Sequence, residues 1–375
     1  MRVLFFSAAT GGGHIKAAKA LSEYIRSVDT SANVLNVDTL RYANPIIDKI
    51  IVGTYINTLK TTPKIYGKLY DITDEGDMLG DNLNELSNGI NKLFSFRIKR
   101  LLREFLPDVI VCTHPFALHM AMSARKKLEF KVPIIAVVTD YAVHPLWVKG
   151  DADAYVIPHE FILNDAINKG IERDKIYPYG IPIGNEFLEY VDRSLILDKF
   201  KLRDETTLLI MGGSLGFGEI ENIFVKLVGA NRSLQIVVVT GMNSKLKLQL
   251  EKYMRDINTR KNIVILGYVD DINSLMEVAN CVITKPGGLT VAEALAKNVP
   301  ICVISPIPGQ EEKNATFLIN SGVAARLKEH DDVDDFLCQV IDNQVRYSSM
   351  KRIASMLAKP NACEDIYNLI KRIIG

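Results

Sequence analysis

No apolar run in this sequence is long enough to cross a membrane, because a spanning helix needs about 20 predominantly apolar residues. Its five cysteines are scattered and form no CxxC pair, so we expect buried thiols in a reducing cytosol rather than disulfides or metal ligands. The sequence also lacks an excess of positive or negative charge. The net charge of +1 argues against a dedicated nucleic-acid-binding protein. The chain opens on an apolar strand at Val3, so we expect no signal peptide ahead of it.

What is present is an ordinary globular composition over 375 residues, a length that favours two domains. Short apolar runs alternate with helical patterns, which predicts an α/β fold built on parallel sheets. Residues 179–184 are apolar but interrupted by glycine and proline, as expected of a linker. We therefore predict domains at residues 1–184 and 185–358, followed by an amphipathic helical segment at 359–375.

The segment from 280 to 314 has the strongest functional pattern. An apolar strand, Cys281–Ile283, leads into a turn, Lys285–Gly288, where two glycines permit backbone conformations closed to other residues. A helix is predicted from Leu289 to Lys297. Strand, turn and helix N-terminus place free N–H groups and a positive dipole end at one spot, which suits a diphosphate. A second strand and a polar loop at 306–311 follow, and both loops should face one crevice.

The same arrangement occurs earlier in the predicted second domain. The strand Leu208–Met211 leads into the glycine-rich turn Gly212–Gly218. Alone, this turn is a weak phosphate signal, and it gains weight because the turn Lys285–Gly288 repeats the pattern. The strand Ile263–Leu266 also ends in a turn, Gly267–Val269.

The N-terminal strand ends in the sequence Ser7–His14, with three consecutive glycines before a helix predicted at 15–26. The spacing is not the GxGxxG of a dinucleotide site, but it indicates that a ligand approaches the backbone. His14 falls in the first helical turn, where the dipole keeps an imidazole neutral and therefore able to act as a general base. A surface or capping histidine explains the residue equally well.

A third polar segment, Thr139–Trp147, follows the strand Ile134–Val138. Asp140 lies where a catalytic loop at the carboxyl end of a strand would start. His144 and Trp147 line an acceptor cleft in one interpretation, and are a hydrogen-bonded loop histidine and a packed tryptophan in the other. Asp151–Asp153 is formally a DxD metal–nucleotide motif, but it directly precedes a strand, so we interpret it as a solvated turn.

Two basic and apolar stretches lie between the second and third strands, at Arg41–Thr73 and Leu93–Leu106. Helices with apolar faces and basic flanks are typical of contacts with a membrane surface, and equally of half-buried structural helices. For Leu93–Leu106 we favour a structural helix. For Arg41–Thr73 we favour contact with an acceptor or a lipid.

The pattern KPGG…TVAEAL…PIPGQEEKNA at residues 285–315 resembles the donor-sugar signature of the family 28 glycosyltransferases. It is most similar to the branch with the monogalactosyldiacylglycerol synthases and the bacterial diacylglycerol glucosyltransferases. The TGGGH sequence at 10–14 matches the same branch, where this histidine is taken as the catalytic base. The resemblance covers nearly the whole chain and is poor at 41–105. It implies the GT-B fold, in which two Rossmann-like domains face each other across a cleft and a C-terminal helix returns to the first domain.

The resemblance also implies the roles of individual residues. His14 and Asp140 are the implied catalytic residues. Tyr268 and Val269 would lie near the uracil, Glu293 at the ribose, and Gln310 and Glu311 at the sugar hydroxyls. The remaining donor-binding residues are Gly12, Gly13, Gly213, Ser214, Lys285, Gly287, Gly288, Leu289 and Thr290. The run Thr290–Glu293 is also a capping box, which needs no ligand.

The implied function is inverting transfer of a hexose from UDP-glucose or UDP-galactose to diacylglycerol or a glycosylated diacylglycerol. We expect no metal or other cofactor, and a cytoplasmic protein bound peripherally to the anionic inner face of the cell membrane. One alternative is an enzyme that uses UDP-N-acetylglucosamine, for lipid-linked transfer or 2-epimerisation. Another is a non-catalytic nucleotide-sugar sensor.

Overall fold

The computed structural model describes residues 1–9, 12–43, 96–126, 128, 130–213 and 219–375. The chain divides into two compact units. The first consists of Met1–Asn185, Ile307–Gln310 and Lys359–Gly375, and the second of Glu186–Pro306 and Glu311–Ala358. Within these described ranges, no helix is both long and apolar enough to span a membrane.

The first unit alternates strands and helices. Its strands are β1 (Arg2–Ser7), β2 (Asn33–Asp38), β3 (Val109–Cys112), β4 (Ile134–Val137), β5 (Ala154–Val156) and β6 (Ile176–Tyr177). Its helices before the linker are α1 (Gly12–Val28), α2 (Thr39–Ala43), α3 (Pro115–Arg125), α4 (Pro145–Val148) and α5 (Leu163–Asn168). Residues 96–105 are also helical, and short 3₁₀ helices occur at Glu160–Ile162, Arg173–Lys175 and Asn185–Phe187.

The strands of the first unit form a parallel sheet in the order β2-β1-β3-β4-β5-β6. The central strands are continuous apolar runs because helices cover both faces of the sheet. The chain adds β2 on one side of β1 and then returns to add β3 on the other side. This reversal makes the carboxyl ends of β1 and β3 the switch point of the sheet, where open α/β sheets bind their ligands.

The second unit contains the strands β7 (Thr207–Met211), β8 (Gln235–Val239), β9 (Ile263–Leu266), β10 (Cys281–Thr284), β11 (Ile301–Val303) and β12 (Ala324–Arg326). Its helices are α6 (Arg193–Phe200), α7 (Ile220–Gly229), α8 (Ser244–Asp256), α9 (Ile272–Val278), α10 (Gly288–Ala296), α11 (Gln310–Asn320), α12 (Val333–Leu337) and α13 (Gln344–Leu357). A π-helical turn, Cys338–Asp342, joins the last two.

The second sheet is parallel in the order β9-β8-β7-β10-β11-β12, which is the doubly wound Rossmann order. Its switch point lies between β7 and β10. Met211 and Thr284, the last residues of these strands, are register partners. The two glycine turns that follow them therefore start side by side. The predicted α/β class with doubly wound sheets is confirmed in both units.

The last helix, α14 (Ala362–Ile374), belongs to the first unit. Its apolar face buries Ile366, Leu369 and Ile370 in the same core as Val3 and Phe5 of β1. The helix is strongly amphipathic, and its apolar face packs against the core of the first unit.

Helix α1 begins three residues earlier than predicted, at Gly12 instead of Ile15. The first N–H groups of a helix have no internal partner, so glycine is tolerated in the first turn more readily than in the helix interior. His14 is the third helical residue, and its place in the first turn is as predicted.

Candidate active site

His14 is held by residues that follow two other strands. Its Nδ1 lies 2.9 Å from the carbonyl oxygen of Thr113, just after β3, and 2.8 Å from the hydroxyl oxygen of Thr139, just after β4. A carbonyl oxygen can only accept a hydrogen bond, so the ring proton resides on Nδ1. The tautomer therefore leaves a lone pair on Nε2, which is the form that a general base requires.

The environment of His14 favours the neutral ring. Burial lowers the pKa of the imidazole below its ordinary value, while the charge of Asp140 and the hydrogen bond to Thr113 raise it without cancelling the effect of burial. The sequence attributed neutrality to the helix dipole. The structure assigns the main effect to desolvation at the switch point.

The activity of this site should therefore depend on pH in a defined direction. The base acts when neutral, so kcat/KM should fall on the acid side with a midpoint below 6.5, the ordinary pKa of histidine. Removing the Asp140 charge in Asp140→Asn should lower the pKa further and move this acid limb to lower pH. Initial-rate profiles of both proteins test this, and a limb centred above the ordinary value in the unsubstituted protein would contradict it.

Asp140 is buried at the end of the strand that precedes it, as expected for a residue in the site. Its carboxylate accepts a 2.7 Å hydrogen bond from Nε2 of Gln310, a residue predicted to contact sugar hydroxyls. Both residues belong to the first unit, because the segment Ile307–Gln310 is grouped with it. Asp140 acts on His14 through its charge, while Thr113 and Thr139 are the hydrogen-bond partners of Nδ1.

His144 and Trp147 have structural roles in and beside α4. His144 caps α4, where its Nδ1 accepts the N–H of Leu146 at 3.1 Å. Trp147 is fully buried. These contacts support the hydrogen-bonded histidine and packed tryptophan rather than residues that line an acceptor cleft.

The DxD sequence directly precedes β5, which lies between β4 and β6 in the sheet. Asp153 accepts hydrogen bonds from Arg125 and from the N–H of Ile134, and Asp151 lies 3.7 Å from Lys175. Asp153 therefore links the start of β5 to β4. The interpretation as a solvated turn did not include this structural role. Among the residues with described placement, no cluster of three or more His, Cys, Asp or Glu side chains is arranged to hold a metal ion.

In the second unit, the two glycine turns lie at the switch point between β7 and β10. Gly213 has a φ of +66°, a left-handed conformation that favours glycine. Gly287 has a φ of −65°, so the prediction that its turn needs a conformation closed to other residues is wrong. A Cβ added at either glycine would meet nothing within 4 Å. Both backbones are thus open to an approaching ligand.

The start of α10 offers backbone donors at this opening. The N–H of Gly287 donates to the Lys285 carbonyl at 2.9 Å, and the first helical hydrogen bond runs from the Val291 N–H to the Gly287 carbonyl. The N–H groups of Gly288, Leu289 and Thr290 precede that bond, as the first N–H groups of a helix do. The Leu289 side chain is buried, so its backbone is the part that can meet a phosphate.

The capping-box explanation of Thr290 and Glu293 is wrong. The N-cap of α10 is Gly287, with no side-chain cap, so Thr290 lies inside the helix and cannot cap it. Glu293 is buried one turn further along, with 6% of its surface exposed. Glu293 therefore has no capping role, and its contact with a ribose stays a prediction.

Lys285 and Glu311 form an ion pair beside the turn, with Nζ and Oε2 3.5 Å apart. Only 11% of the lysine side chain and 20% of the glutamate side chain are exposed. Lys285 therefore does not extend into solvent. The pair places one positive charge next to the N-terminus of α10.

Two family models match the chain. The model described as monogalactosyldiacylglycerol synthase matches residues 14–183, and the model described as glycosyltransferase family 28 C-terminal domain matches residues 207–372. The chain belongs to the family 28 glycosyltransferases. The family predicted from the donor signature and the TGGGH motif is thereby confirmed.

Relatives of this family 28 glycosyltransferase match along nearly its full length. The processive diacylglycerol beta-glucosyltransferase of Bacillus licheniformis is 29% identical over 371 residues, which cover 97% of this chain and 93% of the relative. The protein of the same name from Bacillus cytotoxicus is 27% identical over 371 residues, covering 98% and 93%.

Solved structures show the fold. MurG of Acinetobacter baumannii has a TM-score of 0.63 at 17% identity, with 99% of each chain covered. Anabaena HepE in complex with UDP-glucose has a TM-score of 0.59 at 13% identity, covering 99% of this chain and 100% of that one. A UDP-GlcNAc 2-epimerase from Neisseria meningitidis also matches, at 0.63 and 15% identity over 99% and 100% of the chains. This family 28 glycosyltransferase therefore has the GT-B fold, and the fold alone does not separate transferases from epimerases.

The remaining predicted donor residues of the family 28 site are placed as follows. Tyr268 and Val269 follow β9, and 53% of Tyr268 is exposed. Because β9 lies two strands from β7, these residues lie roughly 10 Å along the same sheet edge from the first glycine turn. Gly12 and Gly13 form the first turn of α1 beside His14. Ser214 lies outside the described residues, as do residues 44–73 of the predicted lipid-contact stretch.

The helical stretch 96–105 buries Ile98, Leu101 and Leu102, which agrees with a structural helix.

Four residues of the candidate site were not predicted from the sequence. Thr113, Thr139 and His114 surround His14, and the His114 ring meets the His14 ring edge-on with centroids 4.6 Å apart. Asn314 is fully buried, and its Nδ2 donates to the Pro286 carbonyl at 2.9 Å, which fixes the glycine turn to α11. For Thr113, His114 and Thr139 the signal was their place after an apolar strand, whereas Asn314 lies within α11 and has no such signal.

Gly287→Ala separates a ligand role from a structural one. The φ of −65° and the open space around a Cβ favour a higher free energy of unfolding, by about 0.4–1 kcal/mol, but alanine is a poorer N-cap than glycine, so we expect the two effects to offset each other and leave the free energy of unfolding nearly unchanged. If a diphosphate packs on this backbone, one methyl group of overlap should cost about 1–3 kcal/mol, or roughly five- to 150-fold in UDP affinity. Gly229→Ala, at a second open glycine in α7, is the matched control. Equal UDP affinity of both variants, measured by calorimetry, would contradict the role.

Proposed function

We propose that this chain is an inverting glycosyltransferase that moves a hexose from a UDP-sugar to diacylglycerol or a glycosylated diacylglycerol. The observation that carries the proposal is the Nδ1–H tautomer of His14, held by Thr113 at a sheet switch point. The two family matches and the relatives' names support the reaction class and the lipid acceptor.

The first unit supplies the base in this proposal. Nε2 of His14 removes the proton of the acceptor hydroxyl while that oxygen attacks the anomeric carbon. The bond from the anomeric carbon to the UDP oxygen breaks, and UDP leaves with the bonding electron pair. Attack from the side opposite UDP inverts the anomeric configuration, and the imidazolium then returns its proton to water.

The second unit holds the donor in this proposal. The turns at Gly213 and Gly287 face the diphosphate, and the N-terminus of α10 supplies roughly half a unit of positive charge. Lys285 adds a full charge beside it. These groups stabilise the negative charge that develops on departing UDP, because fixed donors need no reorganisation during the reaction.

The remaining donor contacts in this proposal are those that the family resemblance implies, and they include Gln310, which is grouped with the first unit. Glu293 binds the ribose hydroxyls, Gln310 and Glu311 the sugar hydroxyls, and Tyr268 and Val269 the uracil. Ser214, which the structure does not describe, binds the diphosphate in this proposal. Asp140 tunes the pKa of His14, which is supported by the direction of its electrostatic effect.

The partners and location follow from the proposed acceptor. The donor is UDP-glucose or UDP-galactose, and the relatives' names favour glucose. A diacylglycerol acceptor lies in a membrane, so the protein acts peripherally at the anionic inner face, from the cytoplasm. The basic and apolar stretch Arg41–Thr73 supports this location.

Incubation of the protein with radiolabelled UDP-sugars and mixed lipid vesicles tests the proposed function. The panel should include UDP-glucose, UDP-galactose and UDP-N-acetylglucosamine, each with and without diacylglycerol. We expect a labelled glycolipid with inverted anomeric configuration from one hexose donor. Conversion of UDP-N-acetylglucosamine without any acceptor, and no glycolipid, would contradict the proposal.

Transfer should continue in excess EDTA, because the residues at the two turns can stabilise UDP without a divalent ion. The described DxD residues belong to the first unit, whereas both turns belong to the second. Asp153 is engaged by Arg125 and Ile134. Rates in EDTA, and after magnesium or manganese is restored, are the measurement. Complete loss with full rescue by the metal would overturn the metal-free mechanism.

A further inference from the structure

We propose that Phe116, Leu146 and Phe161, here named the apolar row, bind the acyl chains of the lipid acceptor. This inference rests on the proposed function and extends it to the residues that hold the apolar part of the substrate. Phe116 is 43% exposed, Phe161 is 67% exposed, and Leu146 is half-buried. Large apolar side chains with this exposure on rigid elements indicate a binding surface when they occur together.

The topology places the three residues together. Phe116 lies in the first turn of α3, Leu146 in α4, and Phe161 in the 3₁₀ helix before α5. These elements follow β3, β4 and β5, which are adjacent in the sheet. Each connection leads to the next strand on the same side, so right-handed crossovers put all three elements on one face. The outer two strands are about 10 Å apart.

The apolar row begins next to the base. The His14 ring contacts the His114 ring with centroids 4.6 Å apart, and the His114 ring contacts the Phe116 ring with centroids 5.2 Å apart. A continuous series of rings thus joins the base to the exposed phenylalanine. Phe161 repeats the arrangement two strands away, where its ring contacts the capping ring of His159 at 4.4 Å.

The backbone that supports the apolar row is clamped by its neighbours. Nε2 of His119 in α3 hydrogen bonds to the Leu146 carbonyl at 2.8 Å. Asp165 in α5 accepts the Val143 N–H at 3.0 Å, and Lys169 donates to the Val143 carbonyl. The loop between β4 and α4 is therefore held from both sides, which fixes Leu146 after β4, the strand that lies between β3 and β5.

The chemistry of the acceptor selects the occupant. In a diacylglycerol the reacting hydroxyl is one carbon from an esterified position, so an acyl chain must start a few bonds from the oxygen that meets His14. The exposed ring of Phe116 near that base, with Phe161 two strands further along the sheet, can take up this chain and gain free energy from its burial. A sugar or a nucleotide presents no comparable apolar length to such a row.

Acceptor kinetics test the inference directly. The substitutions Phe116→Ser and Phe161→Ser should each raise KM for long-chain diacylglycerol about three- to tenfold, which corresponds to losing part of a phenylalanine's burial. The KM for the UDP-sugar should not change. Phe116→Leu and Phe161→Leu should restore most of the affinity. Tyr190→Ser removes an aromatic ring that is 79% exposed in the second unit and serves as the matched control.

Chain length and fluorescence supply two independent readouts. The unsubstituted protein should prefer longer acyl chains, and the double serine variant should lose most of that preference. Trp147 is the only tryptophan in the sequence and follows Leu146 directly. Diacylglycerol brominated in its acyl chains should therefore quench the fluorescence of the unsubstituted protein, and quench the double variant less.

The outcomes separate this inference from the proposed function. If the unsubstituted protein glycosylates diacylglycerol and the double variant does so with the same KM and chain-length preference, the apolar row is not the acyl site and the proposed function stands. If the unsubstituted protein glycosylates no diacylglycerol-type lipid, both fail. A dimer that dissociates in the double variant, seen by light scattering, would assign the row to a second copy of the chain and overturn the inference.

Discussion

Replacement of His14 by alanine should lower the transfer rate about 10²–10⁴-fold, the usual cost of losing a general base, while UDP binding should stay nearly unchanged. The reason is that the proposed base and the proposed UDP-binding turns belong to different units. The Nδ1 contacts of His14 come from Thr113 and Thr139 in the first unit, whereas both glycine turns lie in the second. The loss should therefore appear in kcat at saturating donor and acceptor, with an unchanged dissociation constant for UDP.

The control for this variant is His330→Ala, which removes an exposed histidine from the second unit. It should retain full activity and UDP affinity. The assay needs single-turnover rates as well as steady-state rates, because slow product release can hide a change in the chemical step. Near-normal single-turnover rates in His14→Ala would remove His14 from the mechanism.

The second large effect is expected at Glu293. A carboxylate that accepts hydrogen bonds from ribose hydroxyls is a charge-assisted contact worth about 1.5–3 kcal/mol. Glu293→Ala should therefore weaken UDP binding roughly 10- to 150-fold. Glu293→Gln keeps the size of the side chain and removes its charge, so it should show an intermediate loss.

The structure sharpens the test at Glu293. Because Gly287 is the cap of α10, no capping energy is lost with the carboxylate. Calorimetry with UDP and a melting curve on the same sample separate binding from stability. A lower melting temperature combined with unchanged UDP affinity of the folded protein would make Glu293 a structural residue.

Local patterns predicted the elements well, for identifiable reasons. The strand at Cys281–Ile283 and the helix after it were visible because a buried parallel strand is a continuous apolar run. A ligand crevice at the carboxyl ends of the strands was also predictable, since two strands of the second unit are each followed by a glycine turn. The family resemblance then supplied the roles, and the family, fold and reaction class are supported by the matches.

Contacts distant in sequence were not predictable. His14 meets Thr113 and Thr139, which are 99 and 125 residues away in the chain. These contacts depend on β1 pairing with β3 and on the register of that pairing, which single-sequence periodicity does not contain. Backbone angles failed for a similar reason. The glycines at 287 and 288 predicted an unusual backbone conformation, but Gly287 has an ordinary φ. The space beside its Cα is open instead.

The membership of α14 in the first unit has a consequence for how the protein is made. Ile366, Leu369 and Ile370 complete a core whose members outside α14 lie between Met1 and Tyr179. A ribosome synthesises these residues after the whole of the second unit, so the core of the first unit cannot be completed until the second unit has been made. The second unit, apart from the loop Ile307–Gln310, is one uninterrupted stretch that ends at Ala358 and is available to fold earlier. Domains usually fold in the order of their synthesis, and here the unit whose first strands are made earlier is the one whose core is completed later.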